Sequence, residues 1–219
     1  MIIELRNICF TRGSEHILRN IYLSIEEKEN VVVRGRSGVG KTTLAMISAL
    51  LLKPSSGEIM FVGRKITKLR DHERSMLRLK HIGYIDQYYK LLPNLTVLDN
   101  IILPLRLMGW KKQEAENEAL NLIKQLGIYN VRDKYPLQIS GGQKQRAAIA
   151  RALVKKPKLI IADEPFSNLD EETMHQIMML LKNYVENNHA GILITTTDLY
   201  TKYISNKEYL LEKTTLKKK

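Results

Sequence analysis

Cysteine is nearly absent. Cys9 is the sole thiol among 219 residues, so no internal disulfide can form and a reducing compartment is expected. Long apolar runs are missing as well: the longest, Leu44 to Leu52, is interrupted by Ser48 and falls well short of the roughly 20 residues that span a bilayer. The opening MIIELRNICF alternates in polarity like a strand and lacks the basic start and apolar core of a secretion signal, so no export is expected. Aromatic residues make up only 6% of the chain and do not interleave with its basic residues, which argues against a stacking platform for single-stranded nucleic acid. There is no internal repeat and no low-complexity linker. The composition excludes collagen, a disulfide scaffold and a disordered acidic tail.

What is present is a globular composition, 44% hydrophobic and 26% charged, long enough for one domain or two lobes sharing a core. Basic residues outnumber acidic ones 35 to 23, a net charge of +12. Arg64, Lys65, Lys68, Arg70, Arg74, Arg78 and Lys80 crowd one segment, and the chain ends in KTTLKKK. Such a field attracts anions of any kind, from nucleotide phosphates to lipid headgroups, although a solvated face is the plainer account of the run.

Periodicity organises the chain into alternating elements. Residues 2–33 read as strands with a turn at Gly13-Ser14, ending in the buried run Val31 to Val33. A helix is expected over 43–52, stopped at Lys53-Pro54, then strand character over 57–66 and a basic helix over 70–80. The chain should break near Pro93 and Pro104, and a helix should run from Lys111 to Leu126 with Gly127 at its end. Helix 143–155, apolar strand 159–162, helix 171–187 and strand 192–194 complete the pattern. Strands alternating with helices imply a mostly parallel sheet covered on both sides, an α/β class, with the mostly helical stretch 89–155 as an inserted lobe.

Residues 35–43, GRSGVGKTT, match Gly, four residues, Gly-Lys-Ser/Thr between a strand and a helix. The spacing has a chemical reason. Gly35, Gly38 and Gly40 let the backbone turn so that successive N–H groups, including those of Arg36, Ser37 and Val39, line one concavity, to which the helix adds its positive end at Thr42 and Thr43. Lys41 supplies a mobile charge for the β and γ phosphates, and the Thr42 hydroxyl can ligate Mg²⁺. A glycine turn with an incidental lysine would match by chance in on the order of one chain in a hundred of this length, before the strand and helix are required. Phosphate binding is therefore the better account.

A second site narrows the chemistry. LIIADE, residues 159–164, ends an apolar strand in two adjacent carboxylates. Asp163 is the natural metal acid, and Glu164 is in excess for the metal but suits a base that orients water. A third feature is Ser140-Gly141-Gly142-Gln143 at a helix start, a second set of free N–H donors. Spacing alone does not say whose nucleotide it serves.

GRSGVGKTT, then Gln87 in GYIDQYY, then SGGQKQR, LIIADEP and Ser167-Asn168-Leu169-Asp170, in this order, resemble the ATP-binding cassette ATPases over nearly the whole chain. The stretch LLPNLTVLDNIILPLRLMGWKKQEAENEAL is most similar to the subfamily of lipoprotein-releasing, macrolide-exporter and cell-division cassettes. The resemblance implies a phosphate-loop core, residues 1–88 and 156–219, with an antiparallel N-terminal part and a helical subdomain, 89–155, inserted into it. It implies an ATPase using ATP and Mg²⁺, a head-to-tail homodimer with a second such subunit, with Ser140, Gly141, Gly142 and Gln143 closing on the γ-phosphate of the other copy and Asp170 crossing the interface. Gln87 would contact Mg²⁺ or the attacking water. An integral membrane permease would be met through Tyr88 to Met108, placing the protein in the cytoplasm on the inner face of the membrane.

Two departures from the family pattern stand out. Thr197 occupies the position where the family carries a histidine after its last core strand, so hydrolysis is expected to be slowed, and an ATP-gated switch with little turnover is the alternative reading. Arg12 stands where the family stacks adenine on an aromatic; a guanidinium plane can also stack on a base. Ile139 replaces the family's leucine before the signature, a change that conserves packing.

Overall fold

The computed structural model describes residues 1–167, 169–200 and 203–219. Asn168 of the resemblance motif lies outside them. A four-stranded antiparallel sheet contains β1 (Ile3–Arg12), β2 (Glu15–Ile25), β4 (Ser56–Phe61) and β5 (Arg64–Lys65) in the order β2-β1-β4-β5. A six-stranded sheet holds β3 (Asn30–Arg34), β6 (Ile82–Ile85), β7 (Leu159–Asp163), β8 (Gly191–Thr196), β9 (Lys207–Glu212) and β10 (Thr215–Lys218), ordered β10-β9-β3-β8-β7-β6. Every neighbouring pair in the larger sheet is parallel except β9 with β10.

The described residues form six α-helices: α1 (Lys41–Ser48), α2 (Asp71–His81), α3 (Val97–Leu107), α4 (Lys112–Gln125), α5 (Gly141–Leu153) and α6 (Glu171–Asn187). The central strands are buried on both faces and divide the core in two. Val32, Ile160, Ala162, Ile192 and Ile194 join the cluster built with α3, α4, α5 and α6, whereas Val31, Val33, Leu159, Ile161 and Leu193 face the cluster built with the smaller sheet and α1. Side chains alternate along a strand, and burying each Val, Ile or Leu contributes about 1.5–3 kcal/mol. A one-residue slip would exchange the two faces, so register is firmly set. That register brings the C-terminal ends of β3, β8, β7 and β6 side by side along one edge.

Several expectations need correction. The helix expected over 43–52 is α1, which begins two residues earlier because Gly40 caps it in a left-handed conformation (φ 107°) and ends at Ser48, before Leu50 turns left-handed (φ 59°). Pro104 does not break the chain but lies inside α3, in its last turns. Its missing N–H deprives only one carbonyl of a partner, and the Pro104 carbonyl still accepts from Met108 N. The expected strand over 57–66 is a hairpin, β4 and β5, turned by Val62 and Gly63, both at positive φ.

Candidate functional site

Four adjacent strands each deliver part of one site at their C-terminal ends. The loop Gly35–Gly40 follows β3, Thr197 follows β8, Asp163 ends β7 with Glu164 next, and Gln87 lies in the turn after β6. This edge is where open α/β sheets bind ligands.

The phosphate loop is held by contacts that explain two of its glycines. A Cβ on Gly35 would lie 2.7 Å from the Leu211 carbonyl oxygen and 2.9 Å from Val39, and one on Gly40 would lie 2.9 Å from the Ile17 side chain. Ile17 belongs to β2, so the β1–β2 hairpin that carries Arg12 at the end of β1 rests on this loop. Arg12 itself is exposed. Gly35 N donates to the Thr196 carbonyl at 3.2 Å and Val39 N to that of Arg36 at 3.4 Å, whereas Gly38, Gly40, Lys41, Thr42 and Thr43 find no acceptor for their N–H groups among the described residues. The first N–H groups of a helix lack intrahelical partners, and here α1 has no side-chain cap either. Arg36, Ser37, Gly38 and Thr42 are exposed, so the donors around them are open to a ligand.

Lys41 is buried, 5% exposed, and reaches Glu164 Oε1 at 3.4 Å while its Nζ donates to the Arg36 carbonyl at 3.0 Å. Glu164 adopts a left-handed backbone (φ 49°), uncommon for a residue with a side chain, and its N–H donates to the Thr195 carbonyl at 3.0 Å. Its other oxygen, Oε2, accepts from Thr197 N at 3.0 Å and from the Thr197 hydroxyl at 3.2 Å. Asp163, 3% exposed, accepts a short hydrogen bond from the Thr195 hydroxyl on one carboxylate oxygen, and the other has no hydrogen-bond partner among the described residues. Gln87 is half-buried and makes no hydrogen bond among the described residues. Burial, with Asp163 and Asp86 nearby, raises the Tyr84 phenol well above its ordinary value and keeps it neutral beneath these carboxylates.

No cluster of three His, Cys, Asp or Glu side chains among the described residues could hold a metal by itself. Asp163, the exposed Thr42 hydroxyl and the open N–H donors of the loop lie along the same strand-end edge, a donor set that suits Mg²⁺, which keeps few protein ligands and takes the rest from phosphate oxygens and water. The donor set thus fits ATP with Mg²⁺.

The signature segment is built differently. Ser140 caps α5, its hydroxyl accepting from Gln143 N at 3.3 Å while Gln143 Oε1 accepts from Ser140 N at 3.0 Å. A Cβ on Gly141 or Gly142 would meet nothing within 4 Å. No hydrogen bond or ion pair joins this helix start to the phosphate loop among the described residues. Three residues not anticipated from sequence stand close to Glu164: Thr195, and the pair Tyr89 and Gln145, which both bond the Pro165 carbonyl. Their position after Gln87 and after Gln143 was the available signal. Burial first, and Asp86 second, push the Tyr89 phenol up to about 12, so it remains a donor.

A phosphate loop after β3, a buried aspartate and glutamate at the end of β7, two strands away, and a mostly parallel sheet define a phosphate-loop nucleotide hydrolase. The family model for ABC transporters matches residues 18–167, and the chain belongs to that family, whose ATPase activity uses ATP and Mg²⁺. It is 38% identical over 208 residues to the lipoprotein-releasing system ATP-binding protein LolD of Blochmanniella floridana, covering 95% of this chain and 88% of that one. It is 39% identical over 201 residues to the bacitracin export ATP-binding protein BceA of Halalkalibacterium halodurans, covering 90% and 79%. The dimeric post-hydrolysis structure of the ATP-binding cassette MJ0796 bound to ADP and Pi superposes with a TM-score of 0.92 at 33% identity, over 100% of this chain and 98% of that one. The fold class and family expected from the motifs are those found.

Proposed function

We propose that the chain binds ATP with Mg²⁺, pairs with a second copy across two ATP molecules and hydrolyses them to drive a separate integral membrane subunit. The observation that carries this reading is the 3.4 Å approach of Lys41 to Glu164, a phosphate-binding cation beside a carboxylate able to polarise water. Gly35, Arg36, Ser37, Gly38, Val39, Gly40, Lys41, Thr42 and Thr43 would cradle the phosphates, and Thr42, Gln87 and Asp163 would surround Mg²⁺. The bound cation would neutralise charge on the transferring phosphoryl group. Arrival of the triphosphate draws Lys41 away from Glu164, whose carboxylate, still held through Oε2 by Thr197, then orients the attacking water through Oε1. Arg12 would stack on adenine, while Ser140, Gly141, Gly142 and Gln143 would close on the γ-phosphate of the second copy, with Asp170 crossing between copies.

Residues 1–88 and 156–219 would act as the nucleotide core and 89–155 as a helical subdomain. Exposed apolar side chains at Tyr88 (71%), Leu92 (47%) and Leu107 (65%) support contact with the membrane subunit through Tyr88 to Met108. Attachment there would hold the protein on the cytoplasmic face of the membrane; no described helix is long and apolar enough to cross it. Glu164→Gln should retain ATP, accumulate closed dimers and lose about 100-fold or more in turnover, as loss of a general base does. Undiminished steady hydrolysis by that variant removes Glu164 from the role of base.

One observation favours a second reading, an ATP-gated dimerisation switch with slow turnover. Thr197 spends its N–H and hydroxyl on Glu164 and offers neither the reach nor the charge of an imidazole to the γ-phosphate. On this reading Thr197→His raises turnover about 10-fold or more, the scale of gaining a donor to developing charge. Equal rates for wild type and Thr197→His discard the switch.

A further inference from the structure

Two buried donors from separate parts of the chain meet on one carbonyl beside the proposed base. The Tyr89 hydroxyl donates to the Pro165 carbonyl oxygen at 2.8 Å, and Gln145 Nε2 donates to the same atom at 2.7 Å. Tyr89 is 8% exposed and Gln145 fully buried, so water cannot replace either.

Neither residue has the form that stability alone would favour. Gln145 leaves its Oε1 buried without a partner among the described residues, a destabilising arrangement that an apolar side chain of similar size would avoid. Tyr89 holds a left-handed backbone (φ 48°), which is strained for an aromatic residue. Strain and an orphaned polar atom on the same carbonyl, one residue beyond Glu164, suggest that this carbonyl is held for a purpose.

The purpose follows from what else fixes Glu164. Its N–H is tied to the Thr195 carbonyl of β8 and its carboxylate to Thr197, which constrains it from the sheet side. As the chain leaves, the Glu164 carbonyl accepts from Ser167 N at 3.4 Å within the local turn, whereas the Pro165 carbonyl is tied to distant elements, and both of its donors come from outside the sheet. Tyr89 lies two residues beyond Gln87, and Gln145 lies on the first turns of α5, two residues beyond Gln143.

We propose that Tyr89 and Gln145 are positioning residues that clamp the Pro165 carbonyl, so that the orientation of Glu164 depends jointly on the Gln87 turn and on the start of α5. Movement of Gln87 toward bound nucleotide, or docking of a second copy's nucleotide on Ser140, then reaches Glu164 through one shared atom. The clamp rests on the reading of Glu164 as the base.

The test compares wild type, Tyr89→Phe, Gln145→Met and Glu164→Gln, all as the full chain, in ATP binding, steady-state and single-turnover hydrolysis, and thermal melting. For Tyr89→Phe and Gln145→Met we expect kcat to fall about 3- to 10-fold while KM and the Kd for ATP stay within about twofold, the pattern of losing an interaction that matters only in the transition state. Wild-type kcat in Tyr89→Phe, whatever the melting temperature, overturns the clamp, because a merely structural bond lowers stability and not the rate of folded molecules. Should Gln145→Met fail to fold, Tyr89→Phe, which removes one oxygen from a ring that stays in place, decides alone. Normal hydrolysis by Glu164→Gln overturns the base reading and the clamp with it; loss of hydrolysis there together with wild-type kcat in Tyr89→Phe overturns the clamp only.

Discussion

The starts of α1 and α5 are both glycine-rich helix ends, and the chain treats them in opposite ways. At α1 the cap is Gly40 with no side-chain bond, the N–H groups of Lys41, Thr42 and Thr43 lack acceptors among the described residues, and Gly35 and Gly40 are pressed against Leu211, Val39 and Ile17. At α5 Ser140 and Gln143 satisfy each other in a capping box, and Gly141 and Gly142 face open space. Glycine serves close packing within the chain at the first and leaves room outside the chain at the second. The first is a site whose walls are all present, with Lys41 and Glu164 already inside it. The second is one wall, its Ser140 and Gln143 N–H groups satisfied and those of Gly141 and Gly142 without an acceptor among the described residues.

The largest effect should come from the lysine that makes the first end a site. Lys41→Ala removes the charge-assisted contacts to phosphate, each worth about 1.5–3 kcal/mol, so ATP affinity should fall about 10- to 100-fold in equilibrium binding with Mg²⁺ present. Equal retention of ATP by Lys41→Ala would dissolve the distinction, since α1 would then be no more of a ligand site than α5. Next comes the pair of glycines. Gly40→Ala places a methyl 2.9 Å from Ile17 at φ 107°, a strain of about 1–3 kcal/mol, and should lower both melting temperature and ATP affinity. A Cβ at Gly142 meets nothing within 4 Å, so in Gly142→Val the monomer should melt normally and still bind ATP, while ATP-driven dimers weaken in size-exclusion chromatography. Weakened ATP binding by monomeric Gly142→Val would mean that α5 belongs to the site of its own chain.

The contrast also shows what could be read from sequence. The phosphate loop, Asp163 and Glu164 were legible because local spacing dictates them: a strand, a glycine turn and a helix must be contiguous, and an apolar run ending in acids marks a buried strand end. Helix α6 was legible over 171–187 from its own residues, while the cap by Asp170, whose side chain accepts from Thr173 N, is seen only in the structure. What escaped depends on distant partners. Strand β6 is only four residues long, and β9 carries charged residues; each exists because β7 or β3 offers a parallel edge, at no cost visible in its own composition. The basic run 64–80 likewise looked uniform, yet Arg74 and Arg78 turn inward and both donate to the Leu50 carbonyl at the end of α1, while Arg64, Lys68 and Arg70 remain outside. Tyr89 and Gln145 each follow a motif glutamine by two residues, but their convergence on Pro165 spans 76 and 20 residues and no local pattern records it.

The smallest effect on the isolated chain is expected from Ser140→Ala, and it sharpens the comparison most. The lost bond is the 3.3 Å contact from Gln143 N, long and exposed, while Gln143 Oε1 continues to accept from Ser140 N. N-cap replacement by alanine costs about 0.5–2 kcal/mol, and this geometry belongs at the low end, near 0.5 kcal/mol. For a domain of this size that is a shift of about 1–2 °C in melting temperature. A weak internal bond is also easily exchanged, so the Ser140 hydroxyl can leave Gln143 for a γ-phosphate at little expense when a second copy closes. Turnover at saturating ATP should therefore fall several-fold more than the stability change accounts for, with the monomer's ATP affinity unchanged. If instead melting temperature and monomer ATP affinity drop together, Ser140 serves the fold and nucleotide of its own chain, and the two helix starts differ in degree only.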